Sequence, residues 1–182
     1  MSTIEPELRE ELQRIAADPA LFCKGFFDLK PTQYQTAFLR DTSKRIVLRW
    51  NRQSGKSTFL AVRALYQAIC HRKTLTIIIG PSLRQSMITR DKIEDLINMI
   101  PPDVRRKIFR RILRTVIVTW HDSRIVALPN SEHLLRGYTA DLIVCDESAF
   151  FDNDHTRQRD ISGDRETQGI RFQPGVSGFI VI

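Results

Sequence analysis

Gly55, Lys56 and Ser57, in the run RWNRQSGKST at 49–58, are residue types that hold a polyphosphate. Asp146 and Glu147, which close the run DLIVCDE at 141–147, form the acidic pair that a Mg-ATP hydrolysing site needs. The division of labour follows from chemistry. Gly55 lets the backbone come close to the phosphates. Lys56 would reach the β- and γ-phosphates, and the Ser57 hydroxyl would complete a Mg2+ shell, since that ion prefers hard oxygen ligands and water. Thr58, the next residue, belongs to the same nucleotide-contacting set. Asp146 would hold the ion through water, and Glu147 would orient and activate the attacking water. Either half alone is a common pattern. Each following an expected strand, the two halves together point to ATP and Mg2+ as cofactors.

The elements that must bring these residues together can be read around them. The strand expected at 45–50, RIVLRW, has the apolar core of a buried parallel strand. A tight turn then enters a helix expected at 57–70, whose positive end and free N–H groups suit a polyphosphate. A strand is expected at 74–79, broken by Gly80 and Pro81. Ser82 should cap a helix running to about Met99, closed by Pro101 and Pro102. Residues 114–120 and 124–128 alternate apolar and polar types around His121, Asp122 and Ser123, which suggests an antiparallel hairpin or sheet extension. Upstream, Ile4, Leu8, Leu12 and Ile15 recur at helical spacing, so 4–17 should form an amphipathic helix. Pro31 to Arg40 should turn into a short helix over the base, with Tyr34 either stacking near it or packing. Strands alternating with helices argue for an α/β P-loop fold with a mostly parallel sheet covered on both faces, the nucleotide lying at the carboxyl ends of the strands.

Composition bounds the rest. With 182 residues, 42% of them hydrophobic, the chain can bury one core, and a single domain is expected. Its parts are an N-terminal segment at 1–44, a core at 45–151 and an irregular tail at 152–182. No run approaches the roughly 20 apolar residues of a membrane span, and the acidic start is no signal peptide, so an intracellular protein without a membrane partner is expected. Cys23, Cys70 and Cys145 lack paired spacing, and His71, His121, His133 and His155 lack ligand spacing, so no disulfide or zinc site is expected. The net charge of +7 suits a polyanion. Six basic residues fall among the ten from 105 to 114, RRKIFRRILR. Read as a helix, Ile108, Phe109, Ile112 and Leu113 form an apolar face beneath a basic one, which is either a solvated surface or a sequence-blind contact with DNA phosphates.

The loop departs from Gly-x-x-x-x-Gly-Lys, because Trp50 stands where the first glycine would be. Arg52, Gln53, Ser54, Gly55, Lys56 and Ser57 instead resemble the phosphate loop of the ATPase domain in the large terminase subunit of tailed viruses. Other stretches resemble that family in order: 18–39, DPALFCKGFFDLKPTQYQTAFL; 80–86, GPSLRQS; and 127–150, ALPNSEHLLRGYTADLIVCDESAF. The resemblance covers roughly residues 18–151. It implies the ASCE, RecA-like, three-layer form of the P-loop NTPase fold, and a motor that packages double-stranded DNA. It places Gln35 as an adenine-reading glutamine. It implies a homo-oligomeric ring, a portal protein and a small terminase subunit as partners, and action in the host cytoplasm at the procapsid portal. Arg52 stands where the family has an arginine proposed to reach the γ-phosphate. An arginine finger can contribute ~10^3 to 10^5 in rate, or roughly 4 to 7 kcal/mol of barrier, and the alternative is a salt bridge beside the loop. Arg136 and Gly137 either touch DNA or a neighbouring subunit or form a turn. Ser148 has no His-Asp pattern around it and reads as a turn residue.

The residues after Phe151 are too few for the nuclease domain of that family, so nuclease activity is not expected from this chain. Residues 152–178 are polar and poor in large apolar types, and 179–182 read as a strand, with the family's coupling motif then falling beyond it. Two other functions fit parts of the pattern. PTQYQ resembles the glutamine motif of DExx helicases, which need a second motor lobe. A nucleotide-binding module without turnover would also fit the tail.

Overall fold

The most apolar run of the core becomes the central strand. The computed structural model describes residues 13–131, 138–146 and 178–181, and in it β2 (Leu75–Gly80) is buried at every position after the first. β5 (Arg124–Pro129) and β6 (Leu142–Cys145) flank it, both parallel. A strand paired at both edges and buried on both faces needs apolar residues without alternation, as Ile77, Ile78 and Ile79 supply. On the β6 side follow β7 (Gly178–Val181) and β1 (Arg45–Val47), again parallel. On the β5 side follow β4 (Val116–Thr119) and β3 (Phe109–Ile112), both antiparallel. The seven-stranded order is therefore β1-β7-β6-β2-β5-β4-β3.

Among the described residues, α1 (Pro19–Phe27), α2 (Gln33–Arg40), α3 (Lys56–Cys70) and α4 (Leu83–Met99) lie on one face. Leu60 and Leu65 of α3 and Ile93 and Ile97 of α4 join Ile78, Ile117, Ile125 and Ile180 of the sheet in the larger core. Phe22 and Phe27 of α1 and Leu39 of α2 extend that core outward. The alternation of β2 sends Ile77 and Ile79 to the opposite face, where Ala140, Ile143 and Cys145 complete a second buried cluster.

Caps fix where the helices begin. Asp18 accepts from the Ala20 amide at 2.9 Å and pairs with Arg40 at 2.6 Å, joining the start of α1 to the end of α2. The Arg40 hydrogen bond holds the Asp18 carboxyl below its usual range. Ser82 caps α4 by accepting from the Gln85 amide. Gly80 makes the turn into α4 possible, because a Cβ there would stand 2.5 Å from the Ser86 nitrogen.

Several expectations shift. The first core strand ends at Val47 rather than Trp50, the phosphate-loop helix begins one residue early, and the strand expected at 114–120 begins at Val116. The basic stretch is not one helix. It divides into α5 (Pro102–Ile108) and the strand β3, so the helical face read through Phe109 and Ile112 does not exist. Pairing with β4 overrides local helical periodicity here: Phe109 lies opposite Thr119 and Ile112 opposite Ile117, and Phe109 is buried. Residues 13–17 are helical, and the earlier part of the expected 4–17 helix lies outside the described residues. The expected final strand is present as β7, and residues 152–177 lie outside the described residues. Among the described residues no helix is long and apolar enough to cross a membrane.

Leu60 is fully buried between α3 and the sheet. Leu60→Ala is expected to lower unfolding free energy by about 2–5 kcal/mol, read from urea titration of the far-ultraviolet circular dichroism signal.

Candidate functional site

The site is built where β1 leaves the sheet and α3 begins. Gly55 is the N-cap of α3 with φ +79°, a left-handed conformation that a side chain disfavours. No side chain caps α3, so the amides of its first turn remain for an anion, with the positive end of the 15-residue helix behind them. Gln53 also has positive φ, at 62°, which lets the loop reverse tightly before Gly55.

Aromatic packing supports this loop in place of a first glycine. Trp50 is half-buried and meets Tyr34 edge-on at 4.9 Å, Phe38 at 5.6 Å and Phe59 at 6.5 Å. Tyr34 thus takes the packing role of the two open to it, and its hydroxyl lies 3.4 Å from the Ser54 carbonyl. Gln35 is buried, and its amide is used at both ends. Its nitrogen donates to the Ser54 carbonyl at 2.9 Å, and its oxygen accepts from the Thr32 amide at 2.8 Å. In this arrangement Gln35 ties α2 to the phosphate loop. The Ser54 hydroxyl is buried without a partner among the described residues.

Asp146 closes the site from β6. It is 7% exposed, its amide donates to the Ile79 carbonyl at 2.9 Å, and its carboxylate accepts from the hydroxyl of Thr89 on α4. Asp146 lines a cleft of about 350 Å³ together with Arg52, Gln53, Gly55, Lys56, Ser57 and Thr58. The sheet order explains the meeting, since β1 and β6 are parallel and separated only by β7, so their carboxyl ends open on one side. Among the described residues no ion pair takes up Arg52 or Lys56, so the salt bridge offered as the alternative role of Arg52 is not seen there. Glu147, Arg136, Gly137 and Ser148 lie outside the described residues.

α4 adds what motif reading missed. Gln85, Ile88 and Lys92 line the same cleft, and Thr89 holds Asp146 from below. The signal was present as polar Ser86, Thr89 and Arg90 on the face of α4 that also buries Ile93, Leu96 and Ile97. A polar side chain on a buried helical face needs a partner, and the partner of Thr89 is the acidic strand.

No family model matches the chain. Among curated proteins it is 31% identical over 146 residues to the large terminase subunit of Thermus virus P23-45. That alignment covers 68% of this chain and 30% of the relative. Among solved structures it is similar to the large terminase ATPase domain of Thermus phage P74-26, with a TM-score of 0.55 at 25% identity over 75% of this chain and 61% of that one. The chain is related to the ATPase domain of phage large terminases. The crystallised HK97 bacteriophage large terminase shares the fold at a TM-score of 0.64 and 15% identity, covering 73% of this chain and 31% of that one. The terminase-like domain thus has the α/β P-loop fold, with a mostly parallel sheet, and spans about a third of the length of the curated relative.

The donor set fits a magnesium nucleotide. The Ser57 hydroxyl and Asp146 carboxylate are hard oxygens on one cleft, and the described residues contain no cage of three or more His, Cys, Asp or Glu that could hold a metal alone. Mg2+ takes few protein ligands beside phosphate oxygens and water, and two hard oxygen donors on one cleft suit such an ion. The three thiols take no part: burial raises Cys23 to about 11, Cys70 to about 12 and Cys145 to about 12, the last helped by the adjacent Asp146 charge.

Two outcomes follow from this geometry. Thr89→Val should leave the Asp146 carboxylate without its buried donor and cost about 1–3 kcal/mol in nucleotide-free chemical denaturation, while Thr89→Ser should recover most of it. Thiol–disulfide exchange proceeds through the thiolate, which attacks one sulfur of the reagent and expels the other as thiolate, so at pH 8 all three cysteines should react far more slowly with a disulfide reagent in the native protein than in urea, with rates still rising at pH 10.

Proposed function

We propose that this chain binds Mg-ATP and hydrolyses it as the motor ATPase part of a terminase large subunit, coupling hydrolysis to movement of double-stranded DNA into a capsid. The observation that carries the reading is one cleft lined both by Arg52, Gln53 and the run Gly55 to Thr58 and by the buried Asp146. Similarity to terminase ATPase domains supports the same assignment.

In this reading the chain's own residues divide the work. The first-turn amides of α3 and the Lys56 ammonium bind the phosphates, and Arg52, exposed at the mouth of the cleft, reaches the terminal phosphate as charge develops there. Ser57, and Asp146 through water, would hold Mg2+, which would supply neutralisation of phosphate charge. Glu147 follows Asp146 in the chain and takes the proton of the attacking water. Gln53, Ser54 and Thr58 complete the loop's contacts, and Gln35 reads the base with the hydrogen-bonding capacity its internal bonds leave open. Action at a portal in the host cytoplasm, as a ring with a small subunit, belongs to this proposal and rests on the terminase relationship alone.

Lys56→Ala should weaken Mg-ATP binding by at least about tenfold, since an interaction of roughly 1.4 kcal/mol or more is lost. Equilibrium binding of a fluorescent ATP analogue measures this, and wild-type affinity in the variant would remove the proposal. Glu147→Gln should retain nucleotide yet lose phosphate release by about 10^2-fold or more. Full turnover in that variant would assign the water to another residue.

A further inference from the structure

The basic stretch gains a new meaning from the strand pairing. Arg111 of β3, Val118 of β4 and Arg124 of β5 lie directly opposite one another across the sheet. Directly opposed residues share a sheet face, so both arginines project from the same side. Arg124 is also in register with Leu75, whose side chain packs on the second core cluster, so this is the face away from α3 and α4. Both arginines are exposed, and among the described residues no carboxylate pairs with either.

The rim of this face is basic as well. The β3–β4 register shifts between Phe109 and Arg111, so the bulged Arg110 and Arg111 are both exposed where strict alternation would bury one. Among the described residues Arg110 pairs with Asp122, at 3.4 Å, and both groups are exposed. The turn at 71–73 is held to the turn at 120–123 by the Lys73 amide, which donates to the His121 carbonyl at 3.0 Å, and this brings exposed Arg72 and Lys73 alongside. Trp120 stands in this group with its ring 58% exposed. It is held rather than loose, because its indole N–H donates to the Arg106 carbonyl at 2.9 Å.

This surface lies at the starts of β2 and β5, whereas the phosphate loop and Asp146 lie at the carboxyl ends of the parallel strands. It is therefore a second anion-attracting region on the domain, separate from the nucleotide cleft. We infer that the face bearing Arg111 and Arg124, with Trp120 at its rim, is a docking surface for the phosphate backbone of duplex DNA. Unpaired arginines on a sheet face suit phosphates spaced along a backbone, and a fixed exposed aromatic beside them suits packing against a deoxyribose. No base-reading element is present in it, so binding is sequence-blind and salt-sensitive. The inference rests on the DNA part of the proposed function and names where that partner is held.

The test is fluorescence anisotropy with a labelled duplex over a salt series, using the full chain. Wild type is compared with Arg111→Ala/Arg124→Ala, Arg111→Lys/Arg124→Lys and Lys44→Ala/Arg45→Ala, the last removing equal charge at the opposite sheet edge. Loss of two phosphate contacts should make the slope of log K against log salt shallower by about 2 and weaken low-salt binding by about tenfold or more. The lysine pair should keep the slope, the Lys44/Arg45 pair should change it little, and nucleotide binding should be unchanged throughout. Equal losses in the two alanine pairs, or none in either, would overturn the inference. So would preferential binding of polyglutamate over duplex, which would make the face a protein-docking surface. DNA lost on Arg111→Ala/Arg124→Ala from a chain that hydrolyses no ATP would sink the motor reading alone. Hydrolysis with DNA binding untouched by the substitution would sink only this one.

Discussion

A carboxylate buried at the end of a strand is costly unless something holds it, and the arrangement around Asp146 answers that constraint. Asp146 ends the fully buried strand β6, and it is satisfied from two directions. Thr89 donates a hydroxyl from α4, and the Asp146 amide continues the β6–β2 ladder to Ile79. The position of α4 is thereby tied to the acidic strand and not only to apolar packing. Gly80 sets the same geometry from the other end, since its missing side chain lets α4 start against β2. The negative charge then faces a loop of opposite character: Lys56, Arg52 and the uncapped first turn of α3.

The phosphate loop is stabilised differently, by its aromatic support. Trp50, Tyr34, Phe38 and Phe59 pack edge to face, and the Gln35 amide bridges Thr32 and Ser54. These contacts join α2, the loop and α3 into one unit, and they account for a loop that does without its first glycine. Gln35 thus uses both its amide nitrogen and its amide oxygen within this unit.

Much of this was legible in the chain, for physical reasons that differ by element. The apolar run at 74–79 and the Ser82 cap fixed β2 and α4 to within a residue, because a buried parallel strand and a capped amphipathic helix each leave a local pattern. The joint presence of GKS and DE after strands led to the cleft, since the fold that orders the strands brings their carboxyl ends together. The basic stretch misled because Ile108, Phe109, Ile112 and Leu113 mimic a helical face, and only the register with β4 shows that the last part is an edge strand. Thr89 shows in the sequence only as one of the polar residues on an otherwise apolar helical face, and its partner, 57 residues away, appears only once α4 and β6 are placed in space. Gln35 was singled out for a base, whereas its internal bonds become visible only once α2 and the loop are placed in space.

The central claim is that the phosphate loop and Asp146 form one magnesium nucleotide site. Calorimetric titration of ATP into wild type and Asp146→Asn, each with and without excess Mg2+, tests it most directly. The account predicts that Mg2+ tightens ATP binding markedly in wild type and that this dependence largely disappears in Asp146→Asn while metal-free binding survives. The same Mg2+ dependence in both proteins would contradict it and would separate the acidic strand from the phosphate loop.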